Sequence, residues 1–190
     1  MSAVQPGLFD LPPLLPEGMR YQPELITPEE EAALVEAFAD LPFKPFEFHG
    51  WLGNRRTVSF GHRYDFGEET LREAEPLPAF LAPLRDRAAA FAGLPPDPFH
   101  HALVIEYAPG AGIGWHRDKA VFDVVVGVSL LAPCTFRLRR RKGAGWERAS
   151  LTAEPRSGYV LTGPARTEWE HSIPPLDRLR YSVTFRTLKG

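Results

Sequence analysis

The chain has 190 residues, 44% of them hydrophobic and 24% charged, with a formal net charge of −2. This composition suits one globular domain and excludes both a disordered chain and a globally basic nucleic-acid coat. A single cysteine, Cys134, excludes an intrachain disulfide. With no apolar run long enough to span a bilayer and no secretory pattern at the start, a reduced cytoplasmic protein is expected.

Residues 1–25 are rich in proline and lack periodicity, which predicts an extended N-terminal arm ahead of a single domain over 26–190. Within the arm, Gln5-Pro6-Gly7-Leu8-Phe9 resembles the short peptides by which bacterial repair proteins bind the sliding clamp, so the clamp is an expected partner. Thr27-Pro28-Glu29-Glu30 carries the marks of a helix start: a capping threonine, proline in the first turn and a glutamate completing a capping box. Ala33, Leu34, Ala37 and Phe38 follow at helical spacing. A second helix is predicted from about Leu77 to Ala92, with Phe80, Leu84 and Phe91 inward, ending before Gly93-Leu94-Pro95-Pro96.

From Ala102 the pattern changes to strands: Leu103–Tyr107, Val121–Leu131, Thr135–Arg139, Gly158–Thr162 and Arg180–Thr187 are short, rich in β-branched or aromatic residues, and separated by Gly or Pro. Lys142-Gly143-Ala144-Gly145 reads as a hairpin turn. Helices first and strands afterwards imply an α+β domain built on a sandwich or barrel. Cys134 alternates with Phe136 and Leu138, which makes it a small core residue. His100 and His101 read as structural.

His116-Arg117-Asp118 places an imidazole and a carboxylate two residues apart, on one side of an extended segment. With six His and 24 acidic residues in 190 positions, chance alone supplies roughly one such pair. His171, shortly before Ile173-Pro174-Pro175, changes the weight of the observation. Two imidazoles and one carboxylate on one face of an ion are the ligand set of non-haem iron(II) oxygenases. In Arg180-Tyr181-Ser182-Val183-Thr184-Phe185-Arg186, alternation puts Tyr181, Val183 and Phe185 on one face and Arg180, Ser182, Thr184 and Arg186 on the other. Two guanidiniums aimed into a cavity suit a dicarboxylate, since Arg grips carboxylates as a planar fork.

Together, Tyr107-Ala108-Pro109-Gly110-Ala111, His116-x-Asp118, Trp169-x-His171-Ser172-x-Pro174 and Arg180-x-x-x-Thr184-Phe185-Arg186 resemble the AlkB family of Fe(II)- and 2-oxoglutarate-dependent dioxygenases. The match runs from about Leu103 to Arg186, more loosely from Arg55. The resemblance implies a double-stranded β-helix, or jelly roll, supported by helices. It implies iron held by His116, Asp118 and His171, with O₂ and 2-oxoglutarate as co-reactants. Arg180 and Tyr107 would hold the distal carboxylate of 2-oxoglutarate, Ser182 would take the place of the family's common Asn, and Arg186 would lie near the 2-oxoglutarate carboxylate that binds the metal. The implied activity is oxidative demethylation of alkylated DNA or RNA, releasing succinate, CO₂ and formaldehyde. Two departures are Ile105, where many relatives have Asn, and Ala120, where some DNA-repair members have an acidic residue.

In the family, a lid before the second helix recognises the target nucleotide, here at about 44–66. Arg55 and Arg56 are expected to touch phosphate, while Trp51 and Phe60 either stack on a base or belong to a buried hairpin face. The basic run Arg139–Lys142 reads as a solvated hairpin tip, with contact to the other strand of a nucleic acid as the alternative. The same chemistry directed at a protein side chain or small molecule is the alternative, and a non-catalytic β-sandwich binding module is a third reading.

Overall fold

The computed structural model describes residues 15–48, 51–65, 68 and 70–190. The clamp-like segment Gln5–Phe9 lies outside the described residues. The last part of the expected arm is not free chain: β1 (Met19–Gln22) pairs antiparallel with a later strand, β11 (Gly158–Leu161). Met19 and Leu25 are buried. Four alternating residues were too short a run to stand out beside so many prolines.

Helix α1 (Pro28–Phe38) starts as its sequence predicts: Thr27 accepts from the Glu30 N–H and the Glu30 carboxylate accepts from the Thr27 N–H. It buries Leu34 and Phe38, while Ala33 stays exposed. The second helical stretch is split. A 3-10 turn over Ala79–Leu81 leads into α2 (Ala82–Ala92), whose Pro83 sits in the first turn. Gly93, at φ 76°, closes it in the left-handed conformation that a side chain would disfavour.

The remaining elements are β2 (Lys44–Phe48), β3 (Trp51–Phe60), β4 (His62–Asp65), β5 (Thr70–Glu73), β6 (His101–Tyr107), β7 (Ile113–His116), β8 (Phe122–Leu130), β9 (Cys134–Lys142), β10 (Gly145–Ala153), a short α3 (Gly163–Thr167), β12 (Glu170–Ile173) and β13 (Arg180–Leu188). The large sheet runs β1-β11-β8-β13-β6-β3-β2 and the smaller one β10-β9-β12-β7, with β4-β5 as a separate ribbon. This is the jelly-roll arrangement of two antiparallel sheets supported by helices.

Two cores follow from the period-two alternation of the large sheet. Val104, Val126, Val128, Val160, Val183 and Phe185 point outward, under Leu34, Phe38, Leu81, Leu84, Ala88 and Ala89 of the helical layer. Ile105, Tyr107, Val125, Tyr159 and Leu161 point inward and meet Phe136, Leu138 and Ile173 of the small sheet. Cys134 joins this inner core, and burial raises its thiol above the usual range. Strand β13 is therefore covered on both faces, its apolar face by helices and its polar face by the space between the sheets.

Candidate active site

The alternation of β13 turns Arg180, Ser182, Thr184 and Arg186 into the space between the sheets. Register pairing sets Arg180 opposite Tyr107, Ser182 opposite Ile105 and Ser129, and Arg186 opposite His101. Across this space, β7 ends at His116 and β12 carries His171, and those two residues face each other in the ladder. Their rings lie 4.2 Å apart, while Phe136 stacks on His171 at 5.2 Å. Asp118 follows just beyond β7. His116 and Asp118, neighbours in sequence, thus gather with the distant His171 at one end of the inter-sheet space.

Asp118 is the electrostatic centre of the group. Its Oδ1 accepts from Arg186 at 2.8 Å and 2.7 Å through two nitrogens, and its Oδ2 faces His171 Nε2 at 3.8 Å. Burial by itself would raise this carboxyl. The adjacent Arg186, His171 and His116 more than offset burial and hold it well below the usual carboxylate range. Burial, then the neighbouring His116, pushes His171 down to about 3, and burial also lowers His116. At neutral pH the site therefore presents two uncharged imidazoles and one carboxylate, the protonation states a divalent metal needs.

His116 Nδ1 donates to the Gly114 carbonyl at 2.9 Å, which leaves Nε2 as a lone-pair donor. Two ligand atoms, each about 2.1 Å from one ion, lie at most about 4.2 Å apart. The Asp118–His171 separation falls inside that limit. Among the described residues no three such donors are already closed to metal-ligand spacing, so a metal would have to draw them together.

Arg180 makes the complementary half of the site. It is 1% exposed, donates from Nε to Ser129 Oγ at 3.0 Å, and lies 5.0 Å from the Tyr107 ring. Its NH1 group is buried with no hydrogen-bond partner. A buried donor on a guanidinium, without a carboxylate beside it among the described residues, is costly unless a ligand supplies the acceptor. The residues present thus fit both a divalent metal and an anionic, carboxylate-bearing cosubstrate.

A sequence model of the family described as "2OG-Fe(II) oxygenase superfamily" matches residues 18–186, which span both sheets and every residue just described. The chain belongs to the 2OG-Fe(II) oxygenase superfamily. It is therefore a dioxygenase that uses Fe(II), 2-oxoglutarate and O₂. Its relatives make it an AlkB-type oxygenase. The "Alkylated DNA repair protein ALKBH8 homolog" of Arabidopsis thaliana is 27% identical over 90% of this chain and 55% of its own length. The "Alpha-ketoglutarate-dependent dioxygenase alkB homolog 7, mitochondrial" of Bos taurus is 32% identical over 78% of this chain and 63% of its own. This oxygenase thus spans little more than half of the first relative. In fold it resembles the structure of OsALKBH1, with TM-score 0.72 at 16% identity, covering 93% of this chain and 100% of that one.

The remaining expected residues of the oxygenase divide by strand face. Arg55 stands opposite Tyr107 on the inner face of β3, with its guanidinium 3.8 Å from the centre of the Phe46 ring. Burial lowers its affinity for a proton. Arg56 points the other way and forms a two-pronged ion pair with Glu106 at 2.7 Å and 2.8 Å, which the Tyr181 hydroxyl joins. Phe60 is buried beneath the helices. Both therefore leave the expected substrate set, because β3 is an integral strand of the large sheet and alternation sends Arg56, Val58 and Phe60 outward. The Trp51 side chain lies outside the described residues. Arg186, expected beside the carboxylate of the cosubstrate, is held by Asp118.

Several contributors escaped sequence reasoning. His101 is buried, with its Nδ1 3.2 Å from Arg186 NH1, and so braces the arginine that orients Asp118. Burial, reinforced by Arg186, holds His101 neutral. The signal was present: His101, Leu103, Ile105 and Tyr107 share one face of β6. Ser129 was hidden in an apolar strand. Arg166 of α3, also buried, donates to the Lys119 and Phe122 carbonyls and pins the loop that follows Asp118.

Proposed function

We propose that the protein is an oxidative demethylase of alkylated bases in nucleic acid, with His116, Asp118 and His171 as the iron ligands. Arg180, Tyr107, Ser182 and Arg186 would serve 2-oxoglutarate. When bound, Fe(II) with 2-oxoglutarate and O₂ supplies the oxidising power that hydroxylates an N-linked methyl group, so that formaldehyde and the unmethylated base follow.

The chain's own residues prepare this in separable ways. Arg180 offers its unpartnered NH1 to the distal carboxylate, while Ser129 and the Tyr107 ring keep the guanidinium from turning away. Arg186 occupies Asp118 Oδ1 and so aims Oδ2 at the side where His171 stands. The Gly114 carbonyl and the Phe136 ring orient the two imidazoles. Ile105, Phe136 and Leu138 keep water from the neighbourhood in which a charged cosubstrate must be gripped. Arg186 serves the cosubstrate indirectly, by setting the metal's carboxylate ligand.

The observation that carries the nucleic-acid reading is Arg55, stacked on Phe46 on the same sheet face as Tyr107 and within electrostatic reach of His116. A cation on an aromatic within electrostatic reach of the metal residues suits a base and its phosphate. The relative named for alkylated DNA repair supports the same direction. The test is incubation with Fe(II), 2-oxoglutarate, ascorbate and a panel of methylated DNA and RNA oligonucleotides. Formaldehyde with restored base supports the reading, and Arg55→Gln should raise KM more than it lowers kcat. Succinate without base repair would transfer the activity to a protein side chain or small molecule. Ala120, with no acidic group to meet an exocyclic amine, is the residue that favours this second reading.

A further inference from the structure

The outer face of the small sheet, turned away from the iron-ligand residues, carries an unusual ladder. Arg137, Arg139 and Arg141 alternate along β9 and share this face with Trp146 and Arg148 of β10, Glu170 and Ser172 of β12, and Trp115 of β7. The Arg139 guanidinium lies 4.3 Å from the Trp115 ring centre and 4.1 Å from that of Trp146. Arg137 also approaches Trp115, at 5.2 Å, and Arg141 covers Trp146 at 4.5 Å.

Two facts separate this ladder from an ordinary solvated strand. The first is its charge. Glu170, paired with Arg139 at 2.6 Å, is the one carboxylate on this face among the described residues, so four arginines stand against one acid in a chain whose net charge is −2. The second is its register. Arg148 stands directly opposite Arg139, with Arg141 one step along the same face. Like charges opposed across a ladder destabilise a sheet, and a bound polyanion relieves that repulsion. The inward-facing Arg140 of the same strand does the reverse, being neutralised by both Glu147 and Glu168.

We infer that this face is a docking surface for single-stranded nucleic acid, which grips the strand outside the reaction site. Alternate residues on a strand stand about 6.7 Å apart, twice the rise per residue. That spacing lets successive arginines serve successive phosphates of an extended strand, while Trp115 and Trp146 offer ring surface to unstacked bases. Strand β7 is the edge of the small sheet and carries Trp115 on this face next to His116 on the other. A strand rounding that edge reaches the metal residues without leaving the protein. The inference deepens the nucleic-acid reading of the active site and rests on it for its purpose, but its test requires no turnover.

The test measures binding of the full chain to a labelled, unmethylated strand of about 16 nucleotides, with no 2-oxoglutarate present, as DNA and as RNA across a range of salt. Arg141→Gln/Arg148→Gln should weaken Kd about tenfold and reduce the slope of log K on log salt by about 1.4, two contacts at about 0.7 each. Arg141→Lys/Arg148→Lys, which keeps the charge, should keep most of that slope. Unfolding midpoints at or above wild type exclude a damaged sheet. An unchanged Kd and slope in the glutamine variant would overturn the proposal. So would displacement by poly-glutamate as effective as by the oligonucleotide, because carboxylates bring no base to stack. Strand binding that depends on Arg141 and Arg148 without demethylation of any substrate would leave this surface standing and remove the proposed reaction.

Discussion

Replacing Arg180 by methionine should leave the ligand-free protein close to wild-type stability while abolishing its response to 2-oxoglutarate. Arg180 is 1% exposed and its NH1 is unpartnered, an arrangement that costs about 1–3 kcal/mol in the ligand-free fold. Methionine fills most of the same volume and removes that cost. Against this stand the lost Nε bond to Ser129, about 1 kcal/mol, and the lost contact with Tyr107, about 0.5–1 kcal/mol. The balance lies between about 1 kcal/mol of destabilisation and about 1.5 kcal/mol of stabilisation, which for a chain of this size moves Tm by at most about 4 °C down or 6 °C up. For the wild type, a cosubstrate concentration of about 100 Kd adds about 2.7 kcal/mol. Losing a buried guanidinium–carboxylate contact costs about 2–5 kcal/mol in affinity, enough to erase that shift. The assay is thermal unfolding of both proteins with Fe(II) under nitrogen, with and without 2-oxoglutarate. A ligand-free variant melting well below wild type would show that Arg180 is a structural anchor, and a preserved ligand shift would show that the cosubstrate binds elsewhere. Either result refutes the reasoning.

Glu106→Gln should alter only the neutral and alkaline part of the stability profile. The bond from Arg56 holds the Glu106 carboxyl below its ordinary range, so its contribution is present above about pH 4.3, the unfolded value, and disappears as pH falls through the lower folded value. Arg56 is 51% exposed, so the difference at pH 7 should be only about 0.5–1 kcal/mol, read from urea midpoints at pH 7 and pH 3. A difference that grew towards acid would contradict this sign. His101→Phe removes the brace on Arg186 without emptying the core, and should weaken iron binding about 10- to 100-fold in an equilibrium titration, with a near-native circular dichroism spectrum. Unaltered iron affinity would show that Asp118 needs no such support. Gly127→Ala would set a Cβ 2.2 Å from the buried Tyr159 ring, so a loss of about 1–3 kcal/mol in chemical denaturation is expected. A variant of native stability would mean that Tyr159 can move aside.

What sequence alone determined was largely what local periodicity and residue chemistry encode. Thr27 with Glu30 marks the start of α1, alternation separates the two faces of β13, and the motifs around Tyr107, His116, Asp118, His171, Arg180 and Arg186 together carry the resemblance to the family. Tertiary structure decided what depends on strand partners distant in the chain. Arg55 and Arg56 are adjacent and chemically identical, yet pairing of β3 with β6 sends one towards Tyr107 and the other to Glu106. Phe60 follows Arg56 outward into the helical core for the same reason. No local pattern shows that His101 meets Arg186, 85 residues away, or that Ser129 meets Arg180. The run Arg139–Lys142 reads as a solvated tip until β7 and β10 place Trp115 and Trp146 on either side of Arg139. A strand's own sequence sets which residues share a face; only its neighbours in the sheet determine what that face meets.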